Sequence, residues 1–211
     1  MYLRRSLQVV TFTACCLLAP VVSSAQTPAT AAAATKIEPS KSLDALLSNL
    51  EKDLVPLAEA MPAEKYNFAP NADLFKPGLT PDYKGVRTFA QEIAHLAQAN
   101  YFLFLAVQGS KPDSAFGEKM AAITKLTSKD DLVKTLKESF AYAHTAIATL
   151  TPANAWDHAG RGPDDTRAEQ AGYAVAHARD HYGQLVEYLR MNGVVPPASQ
   201  GKPLANPPKA N

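Results

Sequence analysis

The residues of this sequence best suited to chemistry are its five histidines: His95, His144, His158, His177 and His181. His177 and His181 stand four residues apart in a stretch with helical periodicity. At 100° per residue their side chains leave the helix only about 40° apart, one turn from each other. Two imidazoles placed this way offer two nitrogens to one metal ion. An HxxxH pair also arises by chance on a solvated face, and His95 weighs against that reading. It lies inside a second apolar stripe, flanked by Ala99, Phe102 and Ala106. Three imidazoles at the rim of one interior would be costly to bury unpaired, whereas a divalent cation satisfies all three. His144, beside Ala143 and Ile147, reads first as a polar-boundary histidine and second as a fourth ligand. His158, in a Gly/Pro/Asp-rich stretch, reads as a loop histidine with the same alternative.

The carboxylates are less informative. No general base stands out. Glu92, three residues before His95, is the candidate to orient an imidazole or take a proton, against the plainer expectation of a solvated helix-surface carboxylate. Asp180 and Gln184, beside the HxxxH pair, are candidates to support a ligand from behind.

These residues need helices to position them. Leu43, Leu46, Leu47, Leu50, Leu54 and Leu57 recur at three- and four-residue steps, predicting a first helix that stops before Pro62 and is bent by Pro56. Thr88-Phe89-Ala90-Gln91 is a capping box opening a second helix, with a stripe of Phe89, Ile93, Leu96, Ala99, Phe102, Leu103 and Ala106 and a stop at Gly109. Ser128 caps a third, with Leu132, Val133, Leu136, Phe140, Ala143, Ile147 and Leu150 along one face. Thr166-Arg167-Ala168-Glu169 opens a fourth that runs to Gly193. Between Gly109 and Thr127 the pattern supports only a short turn of helix around residues 119–125. No segment alternates with period two, so the expected fold class is all-α, a four-helix bundle with long connections.

Several stretches also resemble a known family. Met61-Pro62-Ala63-Glu64-Lys65-Tyr66, then Val86-Arg87-Thr88-Phe89 with His95 six residues on, are similar to the DinB-like (YfiT-like) metalloenzyme family. So are Leu136-Lys137-Glu138-Ser139-Phe140-Ala141-Tyr142 and the ending His177-Ala178-Arg179-Asp180-His181-Tyr182-Gly183-Gln184-Leu185. The resemblance implies an up-down-down-up bundle. It also implies a divalent metal, zinc or nickel, held by one histidine of the second helix and the HxxxH pair of the last, which are His95, His177 and His181 here. Relatives include thiol-dependent transferases and an isomerase, and dimers are common among them, so a homodimer is an expectation.

The N-terminus departs from that pattern. Arg4 and Arg5, a mostly apolar run from Leu7 to Leu18, and Ser23-Ser24-Ala25 read as a secretory signal over residues 1–25. The run is shorter than the roughly 20 apolar residues of a membrane span, so no stable membrane insertion is expected after cleavage. Residues 26–39 read as a flexible linker, 40–197 as the bundle, and 198–211 as a proline-rich disordered tail. The expected location is periplasmic or secreted. Both cysteines, Cys15 and Cys16, fall in the signal, which excludes disulfides, thiol nucleophiles and cysteine-bound zinc from the mature chain. With 21 basic and 20 acidic side chains there is no electrostatic case for nucleic acid.

Together these features predict an exported divalent-metal protein. The expected role is a metal-dependent hydrolase or thiol/group transferase acting on a small molecule at a three-histidine site with open coordination positions. The alternative is a non-catalytic metal- or small-ligand-binding bundle.

Overall fold

The computed structural model describes residues 36–74 and 76–201; the secretory-signal reading of residues 1–25 lies outside them. Among the described residues there are five α-helices and no strands: α1 (Pro39–Ala60), α2 (Phe89–Val107), α3 (Ser114–Thr124), α4 (Lys129–Ile147) and α5 (Arg167–Met191). Four form the bundle. The departure from expectation is α3, three turns of helix where the sequence suggested one. Its apolar pattern is faint because only Ile123 is buried and Gly117 interrupts its middle. Asp113 caps it by accepting from the Phe116 N–H, and it packs on α2.

Local sequence sets the helix ends as anticipated. Thr88 accepts from the Gln91 N–H while the Gln91 side chain accepts from the Thr88 N–H, and Thr166 and Glu169 do the same at α5. At the far end of α5, the Gly193 N–H donates to Arg190 O and the Val194 N–H to Leu189 O. This Schellman closure requires the positive φ of 74° that Gly193 adopts. Thr88→Ala is expected to cost about 1 kcal/mol of stability, measured as a lower urea midpoint at unchanged slope. A midpoint equal to wild type would mean that water replaces this cap fully.

The core is formed by Leu47, Leu50, Leu54 and Leu57 of α1, Phe89, Ile93, Leu96 and Phe104 of α2, Leu132, Leu136 and Phe140 of α4, and Leu185 and Leu189 of α5, all fully buried. Two members of the expected stripes are not core. Leu46 is 50% exposed and Phe102 is 44% exposed. Periodicity identifies a face, not what covers it. Both α1 and α2 pack against α4 and α5, so α1 lies diagonally across the bundle from α2. Asn100 Nδ2 donates to Ser139 Oγ across the buried α2–α4 seam at 3.0 Å, and Ser139 Oγ donates in turn to Leu136 O. The pairing satisfies two polar groups that the core would otherwise strand.

The pair that carries His95, His177 and His181 is α2 with α5. Tyr188 Oη, near the end of α5, donates to Arg87 O just before α2 at 3.0 Å. At the opposite end, Arg167 Nε donates to Val107 O at 2.6 Å, capping the last turn of α2. The helices therefore run antiparallel and are fixed at both ends. From the Arg87–Tyr188 contact, His95 is about 12 Å along α2, while His181 and His177 are about 10.5 and 16.5 Å back along α5. Chain geometry alone thus brings His95 to the level between the other two.

Past α5, Pro197–Ser199 forms a single 3-10 turn against α1, tied by Arg190 to Ser199 Oγ at 3.3 Å. No helix among the described residues is long and apolar enough to cross a membrane.

Candidate metal centre

His95, His177 and His181 come together where α2 faces α5. Their ring centroids are 5.3, 4.7 and 4.6 Å apart, with each pair near edge-on. One nitrogen from each lies within 4.8 Å of one from each of the others. Nitrogens about 2.0–2.1 Å from a shared zinc in tetrahedral geometry are roughly 3.3 Å apart, so the set needs only small χ adjustments to close on an ion. The rings of His95 and His177 make no hydrogen bond to protein among the described residues, and their nitrogens stay available as donors of electron pairs. The donor set fits a borderline-soft divalent cation.

The electrostatics of His95 and His177 favour the neutral ring. Burial, the Arg87 charge and the neighbouring imidazoles lower the His95 pKa to about 4. Burial and His181 likewise push His177 below its ordinary value. Two of the rings are therefore neutral at pH 7, as ligation requires.

Glu92 departs from the expectation of a solvated surface carboxylate: it is only 3% exposed. Its Oε2 is 2.7 Å from His181 Nδ1, a close contact without straight hydrogen-bond geometry, and neither atom has another partner among the described residues. Its Oε1 is 3.4 Å from an Arg87 guanidinium nitrogen. Burial raises the Glu92 pKa, but His181 and Arg87 outweigh it, and the net direction is downward. An ionised carboxylate behind His181 favours the tautomer protonated at Nδ1 and leaves Nε2 for a cation. Spacing marked this residue out, since three helical steps place it beside His95, but burial of a glutamate cannot be read from spacing.

A family model described as the DinB superfamily matches residues 46–185, from the first turns of the leucine face of α1 to the end of the HxxxH segment. The chain belongs to the DinB superfamily. No curated protein matches it. The match encloses His95, His177, His181 and Glu92, so the cluster of this DinB protein lies within the family domain.

The site opens on a cavity of about 340 Å³ lined by His95 and His177, by Ala99, Phe102, Leu103, Met120 and Tyr173, and by Gln98 and Arg161. Its size and mostly apolar wall suit a small organic molecule. Phe102 and Met120 explain two features of the fold: Phe102 belongs to the cavity wall, and α3 contributes Met120 to it.

The remaining sequence candidates lie elsewhere. Asp180 and Gln184 are exposed and pair with each other, Gln184 Nε2 donating to Asp180 Oδ2 at 3.0 Å. His158 Nε2 donates to Gly162 O at 2.6 Å within the loop before α5. His144 bridges α4 to α1, with Nδ1 against Asp44 and Nε2 at 3.1 Å from Glu51. Burial pulls the His144 pKa down, but hydrogen bonds to the two carboxylates outweigh it, and the imidazole titrates above its ordinary value. A raised histidine pKa stabilises the fold fully below the unfolded value near 6.5, and that stabilisation fades as pH rises through the folded value. His144→Gln is therefore expected to cost up to about 1 kcal/mol at pH 5.5 and less at pH 8.5. Urea unfolding at the two pH values measures this, and an equal cost at both would refute the charged bridge.

Proposed function

We propose that this DinB protein is an exported metal-dependent enzyme in which His95, His177 and His181 hold one divalent ion, zinc or nickel, beside a small-molecule cavity. The reaction proposed is hydrolysis, or transfer of a thiol or other group. One observation carries this reading: three imidazole nitrogens within 4.8 Å of one another, two of whose rings also line an apolar cavity. Bound by three neutral ligands, such an ion keeps open positions and its full charge, and it supplies acidification of a water or thiol and polarisation of a carbonyl oxygen.

The chain's own residues support that chemistry in definite ways. Glu92 fixes the His181 ring from behind and, being occupied there, is a positioning residue and not a free base. Ala99, Leu103 and Met120 supply apolar wall to the cavity that His95 and His177 also line, which favours an apolar ligand body over water beside the two rings. The residues lining the cavity include no carboxylate, so a proton released there goes to solvent or to the substrate itself. Export is proposed from the basic, apolar and small-residue succession over residues 1–25, and a homodimer from family resemblance alone.

The test is elemental analysis of the purified mature chain after dialysis against metal-free buffer, followed by hydrolytic and thiol-transfer substrates with and without chelator. About one equivalent of zinc or nickel is expected, with turnover lost on chelation and regained on readdition. A chain that retains no metal and takes none up would overturn the reading.

A further inference from the structure

Arg161 is the one cation in the cavity wall. Arg87 meets Glu92, Arg167 caps α2 and reaches Thr149, and Arg179 pairs with Asp53 at 2.6 Å. Arg161 has no carboxylate against its guanidinium among the described residues. Its closest polar contact is Gln170 Oε1, at 3.5 Å. The guanidinium carbon instead lies 4.5 Å from the centre of the Phe102 ring. A cation–π contact of this kind engages the face of the group and leaves the N–H donors other than the one on Gln170 free.

The loop behind Arg161 is built to hold it there. The Arg161 N–H donates to Oδ2 of Asp165 at 3.1 Å, and Asp165 is itself buried. His158 closes the same loop onto Gly162 and pairs in an isolated antiparallel bridge with Thr166, the cap of α5. The chain is thus fixed on both sides of Arg161, and its side chain lines the apolar cavity that His95 and His177 also line.

We infer that Arg161 is an anion-reading subsite, and that the molecule this cavity takes is a small amphipathic carboxylate. Its apolar body lies along Phe102, Leu103, Met120 and Tyr173, and its carboxylate meets the guanidinium edge. The planar fork of N–H donors matches a carboxylate in two parallel hydrogen bonds. A wall with no acidic residue offers nothing to repel it. The inference deepens the proposed function and rests on it only for the ligand's reactive end, which faces His95 and His177.

The test uses two probes of equal length, 5-phenylpentanoate and 5-phenylpentanol, titrated calorimetrically at pH 7.5 into the full mature chain, metal-free and zinc-loaded. In metal-free protein the carboxylate is expected to bind about tenfold more tightly than the alcohol. Arg161→Gln should erase that preference without changing the affinity for the alcohol, and Arg161→Lys should keep part of it. Equal affinity for both probes in wild type, or a preference that survives Arg161→Gln, would overturn the subsite. The zinc-loaded arm is separate: failure of wild type to take up zinc would sink the metal reading and leave the carboxylate preference of metal-free protein to decide the subsite by itself.

Discussion

Replacing His95, His177 and His181 together by alanine is expected to take metal content from about one equivalent per chain to background, while the helical circular-dichroism signal persists. The fold has no need of the three rings. The core is built from the buried leucines and phenylalanines of α1, α2, α4 and α5, and Tyr188 and Arg167 fix the α2–α5 register from the two ends. Structural zinc sites with four ligands gain about 10–16 kcal/mol, or roughly 2.5–4 kcal/mol per ligand, so each single alanine variant should weaken affinity by roughly 60- to 700-fold. Metal also stabilises whatever it binds. At a free concentration 100 times Kd the gain is about 2.7 kcal/mol, which for a domain of this size raises Tm by roughly 5–10 °C. Wild type should show that shift with zinc, and the triple variant none. Undiminished zinc stoichiometry in the triple variant would move the site elsewhere.

Much of the fold was legible because local rules and tertiary demands agree. Thr88 with Gln91 and Thr166 with Glu169 are capping boxes in sequence and in space, since the capping partners are only three residues apart and depend on nothing distant. The leucine face of α1 reads correctly from Leu47 to Leu57, where other helices cover it, and fails at Leu46, where none does. The α3 helix was half-seen for a related reason. A helix that lays only one fully buried side chain against its neighbours carries little periodicity to detect.

The site was legible to the extent that one helix encodes it. His177 and His181 share a face by spacing alone, and His95 marks the rim of another. That the two rims meet follows from the Arg87–Tyr188 and Val107–Arg167 contacts, each joining residues far apart in sequence through a backbone carbonyl. Carbonyl acceptors leave no trace in residue type. Arg161 was invisible for a different reason: its position over Phe102 depends on loop conformation and not on a period. His144 shows the converse. Its place beside Ala143 and Ile147 reads first as a polar boundary, and its neighbours Asp44 and Glu51, across a different seam, give it that structural role.

Glu92 provides the second large effect. Glu92→Gln keeps the volume and a carbonyl acceptor near His181 Nδ1 but removes the charge. Glu92→Ala removes both and leaves that nitrogen facing an apolar gap. Groups that orient a ligating histidine are typically worth 10- to 100-fold in metal affinity. Zinc Kd, measured by competition with a chromophoric chelator, should accordingly rise about tenfold in Glu92→Gln and approach a hundredfold in Glu92→Ala. The affinity readout separates two roles that turnover alone would merge. A carboxylate that only accepts a proton from substrate would leave zinc Kd unchanged in the glutamine variant and reduce turnover alone. A carboxylate that sets the His181 tautomer moves Kd first, with turnover falling in proportion to lost occupancy and recovering in excess zinc. Its burial, its 2.7 Å contact with His181 Nδ1 and the Arg87 charge that helps keep it ionised all favour the second outcome.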